Sequence, residues 1–450
     1  MRRTILAFSA LQLAAGCDPG DFGAALDKAP VRFIGAPGGF GSDVGRTLLP
    51  LAPPTDQPKV AARLLFAGID QPSLAVADFD GNGKPRVQTA SSADLSALGL
   101  ASDQGGISSA AWLVAPPATG SAALGMIVLG TPGVGASDPP VGGVAFLKLV
   151  ADPGGKLAFE TARVFGPGPA GHFGLAVASG RVTQATADEA IVVSDTEVHV
   201  LQFPSGDVVS TCAVALQTPP DLHRSLAVAN FLSAGNQQIA VGLPVKGGIG
   251  KVVILQHGFN SVSGAEELSC TSLPGLSVPS GNPPGFGTAL AAVPRADGMA
   301  DLVVGAPPDR AYLFRSPFDG TTLPKMFTNG DPTSEFGQRV ALVDVDGDGT
   351  KELAITALQA DVGSTKKAGE VFVYKLDGDG ITPIAVLHDS TPTANTEFFG
   401  IGLADLEFKS SRACANGKDV HLLVAGADTG IFTFFNFPNS QPDPRCFAQK

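Results

Sequence analysis

Tryptophan and tyrosine are nearly missing from this chain, with one and two residues in 450. Aromatic bulk falls instead on 27 phenylalanines, whose rings carry no polar tip that needs a partner when buried. Charge is also sparse, 16% of residues against the roughly 25% usual for soluble domains. Basic residues are outnumbered, and a net charge of −12 with no basic stripe argues against a nucleic-acid partner, since phosphate binding needs one. No run of apolar residues reaches the length of a membrane-spanning helix. The six histidines (172, 199, 223, 257, 388 and 421) form no HExxH pair and no close cluster, and no G-x-S-x-G turn occurs. The two most familiar hydrolase signatures are therefore absent, and the chain reads as non-enzymatic. What is abundant is glycine, 56 residues, and proline, 36, without the strict period of collagen and below the level of aperiodic disorder. That composition favours a turn-dense β protein.

Residues 1–16, MRRTILAFSALQLAAG, have two arginines and then an apolar stretch too short to cross a bilayer, the pattern of a signal peptide. The following LAAGC resembles the lipobox of bacterial lipoproteins, with Ala14 where leucine is more usual. The resemblance implies cleavage before Cys17, acylation of that cysteine, and a lipid anchor in the bacterial cell envelope, at the outer membrane or cell surface or on its periplasmic face. An ordinary secretory signal is the alternative. Residues 17–30 would be a short linker. Four cysteines remain, and an even number in an exported chain allows two disulfides in three connectivities. A loop position for Cys414 and a tail position for Cys446, within residues 439–450, favour joining those two, which leaves Cys212 with Cys270. Reduced buried thiols are the other reading.

A repeat runs through residues 31–438. Its clearest copy, residues 335–376, reads EFGQRVALVDVDGDGTKELAITALQADVGSTKKAGEVFVYKL: an FG pair and a first strand, an acidic turn, a second strand, a loop, and a third strand led by glycine. Residues 286–314 repeat it as FGTALAAV and DLVVGAPPDRAYLF, and fainter copies start at Phe173, Ser225 and Phe399. Upstream, residues 126–149 read as a second and third strand and residues 74–91 as a first and second, which brings the count to seven. Short apolar or alternating runs between Gly and Pro turns are strands, and a lone four-stranded sheet cannot cover both its faces, whereas sheets stacked radially bury each face against the next. The expectation is an all-β, seven-bladed β-propeller of four-stranded antiparallel blades. A stray GAP at residues 35–37 marks either a strand closing the ring or a degenerate eighth unit. These motifs resemble the FG-GAP repeat of the integrin α-chain propeller and its bacterial relatives.

DVDGDGTKE, residues 344–352, offers side-chain oxygens at positions one, three, five and nine (Asp344, Asp346, Asp348, Glu352) and a backbone carbonyl at Thr350. Calcium takes six to eight oxygens, and two glycines let alternating carboxylates converge. The resemblance implies the same ligands for Ca²⁺. DFDGNG offers a second, weaker set, Asp78, Asp80 and Asn82, with Arg86 where the last ligand belongs. In the blade from Phe286, Arg295 stands beside Asp297 and Asp301, a guanidinium expected to substitute for the metal by pairing with those carboxylates. Asp377 to Gly380 reads as a hairpin turn. In integrin-like propellers, the loops between second and third strands lie opposite the calcium loops and contact partners, which points here to residues 359–369 with Asp361, Lys366 and Lys367. The expected function is a calcium-stabilised, envelope-anchored module for adhesion or recognition of a protein or glycan. Alternatives are a periplasm-facing scaffold of envelope assembly and a hydrolase-associated propeller.

Overall fold

The computed structural model describes residues 32–35, 37, 44–51, 60–68, 73–80, 84–90, 106–113, 126–133, 142–151, 157–165, 171–183, 187–202, 205–214, 225–233, 235, 237–245, 248–259, 266–269, 276–278, 280–318, 322–345, 349–378, 380–389, 398–408, 420–428 and 430–435. Among these there are 28 strands in seven antiparallel four-stranded sheets, with no helix long and apolar enough to cross a membrane. The chain is a seven-bladed β-propeller.

Blade one runs β2 (Thr47–Leu51), β3 (Ala62–Gly68), β4 (Ser73–Phe79), β5 (Pro85–Thr89), and blade two β6 (Ser109–Leu113), β7 (Met126–Thr131), β8 (Gly143–Ala151), β9 (Leu157–Phe165). Blade three is β10 (Ala176–Gly180), β11 (Glu189–Val193), β12 (Glu197–Leu201), β13 (Val208–Ala213), and blade four β14 (Ser225–Ala229), β15 (Gln238–Leu243), β16 (Lys251–Phe259), β17 (Glu266–Ser269). Blade five is β18 (Ala289–Pro294), β19 (Ala300–Ala306), β20 (Arg310–Phe314), β21 (Lys325–Thr328), and blade six β22 (Phe336–Val343), β23 (Glu352–Ala357), β24 (Glu370–Asp377), β25 (Gly380–Leu387). Blade seven takes three strands from the end of the chain, β26 (Leu403–Phe408), β27 (Val420–Ala427), β28 (Gly430–Phe435), and its fourth from the beginning, β1 (Arg32–Gly35). The stray GAP therefore begins with the last residue of a closing strand, Gly35, and marks no eighth blade among the described residues.

One expectation needs correction. Residues 74–79 belong to the third strand of blade one and lead to its fourth, whereas they read as a first strand in sequence. The first strand carries Pro50 and no FG pair, so its repeat signature is gone, and the second, ARLLFAG, is buried along all seven residues like any central strand. DFDGNG therefore begins within a third strand and has no equivalence to DVDGDG.

The second strands are the most buried, and β3, β7, β11, β15, β19 and β23 have no exposed residue. Hydrophobic clusters join neighbouring blades: one links Val303, Ala311 and Leu313 of blade five to Leu353, Ile355 and Tyr374 of blade six. The FG pair organises the seam. Phe336 is fully buried and meets Phe372 of its own third strand edge-on at 5.4 Å, while Phe286 meets Tyr312 and Phe399 meets Phe432. Gly337 has φ +94° and lies so close to blade five that a Cβ would sit 2.1 Å from the Arg310 carbonyl. Gly305, in β19, is its counterpart, where a Cβ would come 2.1 Å from the Gly337 carbonyl. The FG and GAP glycines are thus two halves of one backbone-to-backbone contact between blades.

Candidate metal centre

The loop from first to second strand must be bound at its base, and blades three to six solve this with different chemistry at one position, which Met126 takes in blade two and Leu422 in blade seven. That position opens the second strand, four residues before the seam. In blade three it is Glu189, whose Oε2 accepts the N–H groups of Val182 and Thr183, each at 2.8 Å. In blade four it is Gln238, whose Oε1 accepts from Phe231 and Leu232 at 2.7 and 2.9 Å. In blade six it is Glu352, whose Oε2 accepts from Val345 at 3.0 Å. All three acceptors are buried, and each follows its buried apolar donor by seven residues. That spacing was visible in sequence as V182 to E189, F231 to Q238 and V345 to E352, and composition-based reading passed over it.

Blade five uses a guanidinium cluster. Asp301 is completely buried, and Arg295 reaches it at 3.3 Å and Asp297 at 2.6 Å, as expected from sequence. Arg315 also pairs with Asp301 and donates to the Gly378 carbonyl of blade six. Here two arginines neutralise the carboxylate. In blade one, fully buried Arg63 takes the position and forks onto Asp78 at 2.5 and 3.1 Å. Both oxygens of Asp78 face that guanidinium, Asp80 accepts the Lys84 N–H at 2.8 Å, and Asn82 lies outside the described residues.

Blade six is the acidic case. Asp344 follows β22 directly and is 3% exposed. Its Oδ2 accepts the Gly349 N–H at 2.9 Å, and its Oδ1 is buried with no hydrogen-bond partner. A buried carboxylate oxygen left unmatched is costly unless a cation or donor meets it. At the aligned position blade three has Arg181, which pairs with Asp188 at 3.2 Å, and blade four has Asn230. Glu352 lies opposite Val343 in register, so the first and last members of DVDGDGTKE are brought together at the loop's base. Asp346 and Asp348 lie outside the described residues, and Thr350 is exposed at the loop's exit. Among the described residues no group of three or more His, Cys, Asp or Glu is placed to hold a metal.

Residues 336–374 match the family model of the FG-GAP repeat. Over those residues the blade is similar to the FG-GAP repeat. No curated protein sequence matches the chain. The match covers β22, β23 and most of β24, so the acidic loop lies inside the matched segment.

Beside the acidic loop stands a charged group centred on blade seven. His421 Nδ1 is 3.0 Å from Asp405 Oδ1 and its Nε2 is 3.7 Å from Asp344 Oδ2, while Lys351 Nζ is 2.9 Å from Asp405 Oδ2. The hydrogen bond to Asp405 raises the His421 pKa above the ordinary imidazole value, against burial. Burial pushes Asp405 up, and the bonds from His421 and Lys351 outweigh it and hold it below the usual carboxylate range. Between the loop and blade five is a cleft of about 1130 Å³ lined by Arg295, Arg315, Lys351, Leu342 and Leu376.

Strands alternate in direction, so the second-to-third loop of blade six lies on the opposite face. It is braced from within: Val362 and Thr365 bridge, Gly369 N–H donates to the Ala360 carbonyl, and Lys366 reaches Asp361 at 2.6 Å. Lys367 adopts φ +54° and its N–H also donates to Asp361. Of the cysteines, Cys212 is buried in β13 and disulfide-bonded, and Cys17, Cys270, Cys414 and Cys446 lie outside the described residues.

Proposed function

We propose that this propeller is a calcium-stabilised, non-catalytic binding module, held in the bacterial envelope through Cys17, that recognises a protein or glycan. The observation that carries the calcium part is the buried, unmatched Oδ1 of Asp344 at the head of an acidic FG-GAP loop. Asp344, Asp346, Asp348, Glu352 and the Thr350 carbonyl would hold the ion. When bound, it supplies positive charge that offsets the mutual repulsion of four carboxylates in one turn. The chain's own groups prepare the place: Gly349 orients Asp344, and Val345 orients Glu352. The binding part is supported by the braced loop at residues 359–369, which presents Lys366 with a side chain 71% exposed on the face away from the metal. The blade-five and blade-one clusters serve as internal ties, which supports a structural use for most of the buried charge.

A ligand that binds only the folded state stabilises it by about 2.7 kcal/mol at a hundredfold excess over Kd. Chelator is expected to lower the melting temperature and Ca²⁺ to restore it better than Mg²⁺, which holds its water and demands octahedral geometry. Asp346→Ala should remove most of this response and Asp379→Ala none of it. Melting indifferent to chelator and calcium, in protein first shown to be metal-free, defeats the calcium reading. For binding, the lipid-free domain is used to capture partners from envelope extracts. Substitutions at Asp361, Lys366 and Lys367 should weaken capture without lowering the melting temperature, and the reverse pattern would sink the assignment of this face.

A further inference from the structure

We propose that β1 is an exchangeable strand: it opens locally from the outer edge of blade seven, and the edge of β28 that it leaves takes β1 of a second copy of this chain, so that two propellers complete each other's last blade. Three observations carry this. First, the hold of β1 is small. It spans four residues, Arg32–Gly35, and pairs with β28 and with no other strand. Ile34 is its buried anchor at 6% exposure, and Gly35 at its end is exposed. Segments held by so few buried groups open at free energies well below that of global unfolding.

Second, what β1 covers is not a finished surface. Ile431, Phe432 and Thr433 of β28 are buried, and the edge of β28 that faces away from β27 is paired by β1. A bare edge of that kind is a template for another strand. The register, from Arg32 opposite Thr433 to Gly35 opposite Gly430, shows which sequence fits it, and every copy of the chain carries that sequence. The closed monomer and the exchanged pair therefore hold the same strand contacts, and their balance is set by concentration and by the connection from β1 to blade one. Eleven residues separate Gly35 from Thr47 (47 − 35 − 1), enough for about 40 Å when extended.

Third, blade one has a second hold on blade seven. The Gly45 N–H donates to the Ala427 carbonyl at 3.3 Å, and a Cβ on Gly45 would lie 2.2 Å from Gly426 Cα. Val44, Leu64 and Phe66 share one hydrophobic cluster with Leu406 and Val424. Opening of β1 thus frees a single strand while the two blades stay in contact.

Hydrogen exchange on the full chain is the first test. Amides of β1, and those of β28 that pair with it, should exchange about 100-fold or more faster than those of Leu423 to Ala425 in β27. Tagged and untagged copies, incubated together at high concentration, should then co-purify on the tag. A locked variant identifies the strand responsible. Arg32→Cys with Thr433→Cys places two thiols on opposed residues, whose Cα atoms in an antiparallel pair are about 4.5–5.5 Å apart, within the span of a disulfide. Oxidised while dilute, it should lose co-purification and slow the exchange of β1 to that of β27. Arg32→Ser with Thr433→Ser, which cannot form the bond, should behave as the unaltered chain does. Exchange of β1 no faster than that of β27 overturns the proposal, as does failure of the two copies to co-purify. Co-purification that the lock leaves unchanged places the contact elsewhere and overturns it too.

Discussion

His199 occupies in blade three the place that Tyr312, Phe372 and Phe432 hold in blades five, six and seven, against the phenylalanine of the FG pair. Its ring lies 5.2 Å from Phe173, and it is met by Glu197 Oε2 at 3.3 Å and Thr211 Oγ1 at 3.2 Å. Burial lowers the His199 pKa from the ordinary value, partly opposed by the charge of Glu197. Near and below pH 6.5 the unfolded chain then binds more protons than the folded one, so this residue's stability contribution is full above that pH and lost as pH falls. His421, with a raised pKa, has the opposite sign: its contribution is present in acid and lost as pH rises through its folded value. The comparison that isolates His199 is the wild type against His199→Phe. The variant restores an aromatic pair worth about 0.5–1.5 kcal/mol beyond burial, and its melting temperature should fall less than wild type's between pH 7 and pH 5. Parallel pH curves for the two proteins would show that His199 does not titrate against folding.

At the scale of the element, the two glycines of the repeat fail or hold together. Gly305 is at the end of a fully buried strand, and an added Cβ would lie 2.1 Å from the carbonyl oxygen of Gly337, a backbone atom that cannot swing away. Gly258, in β16, has nothing within 4 Å of the same imagined atom. Gly305→Ala should therefore destabilise by about 1–3 kcal/mol or more, as overpacking does, while Gly258→Ala should be neutral or slightly stabilising through the unfolded state. Urea unfolding with a constant m-value is the measurement, and equal midpoints for the two variants would contradict the seam contact. Blade six itself departs from the rule, since Thr356 stands at its seam position beside Gly400. Its hydroxyl accepts the Arg339 N–H at 2.9 Å, and Arg339 Nε donates to the Ile401 carbonyl of blade seven, so a side-chain link replaces the glycine contact.

For the whole molecule, closure of the ring depends on four residues of β1, paired with β28 from Arg32 opposite Thr433 to Gly35 opposite Gly430. Ile34 is buried in a cluster that includes Leu64 and Phe79 of blade one and Leu406 and Val424 of blade seven. The segment that closes the propeller is thus also the one nearest in sequence to Cys17. The fifteen residues from Cys17 to Arg32 (32 − 17) reach at most about 50 Å, so an acylated chain would keep its last blade within that distance of the bilayer. The hypothesis of a lipid anchor motivated by the LAAGC sequence predicts that Cys17→Ser moves the protein from the membrane to a soluble exported fraction with its melting temperature unchanged. Unaltered membrane partitioning of the variant would end it.

The blades were legible in the sequence because what makes a blade is local: FG at a tight approach, an apolar second strand, a Gly or Pro turn. The acidic loop and the guanidinium exchange at Arg295 were legible for the same reason, since the partners lie within nine residues of one another. Blade one was misread because Pro50 and the absent FG pair removed the local signs, while ladder pairing and the burial of β3 hold β2 and β3 in place. The closing role of β1, the fork of Arg63 on Asp78, the glycine contacts across seams and the approach of His421 to Asp344 were decided only by the tertiary structure. The last of these joins residues 77 positions apart (421 − 344), and β1 meets its partner across the length of the chain. Such contacts depend on which blade stands beside which around the axis, and on the one-residue phase of a strand that sends a side chain to one face or the other.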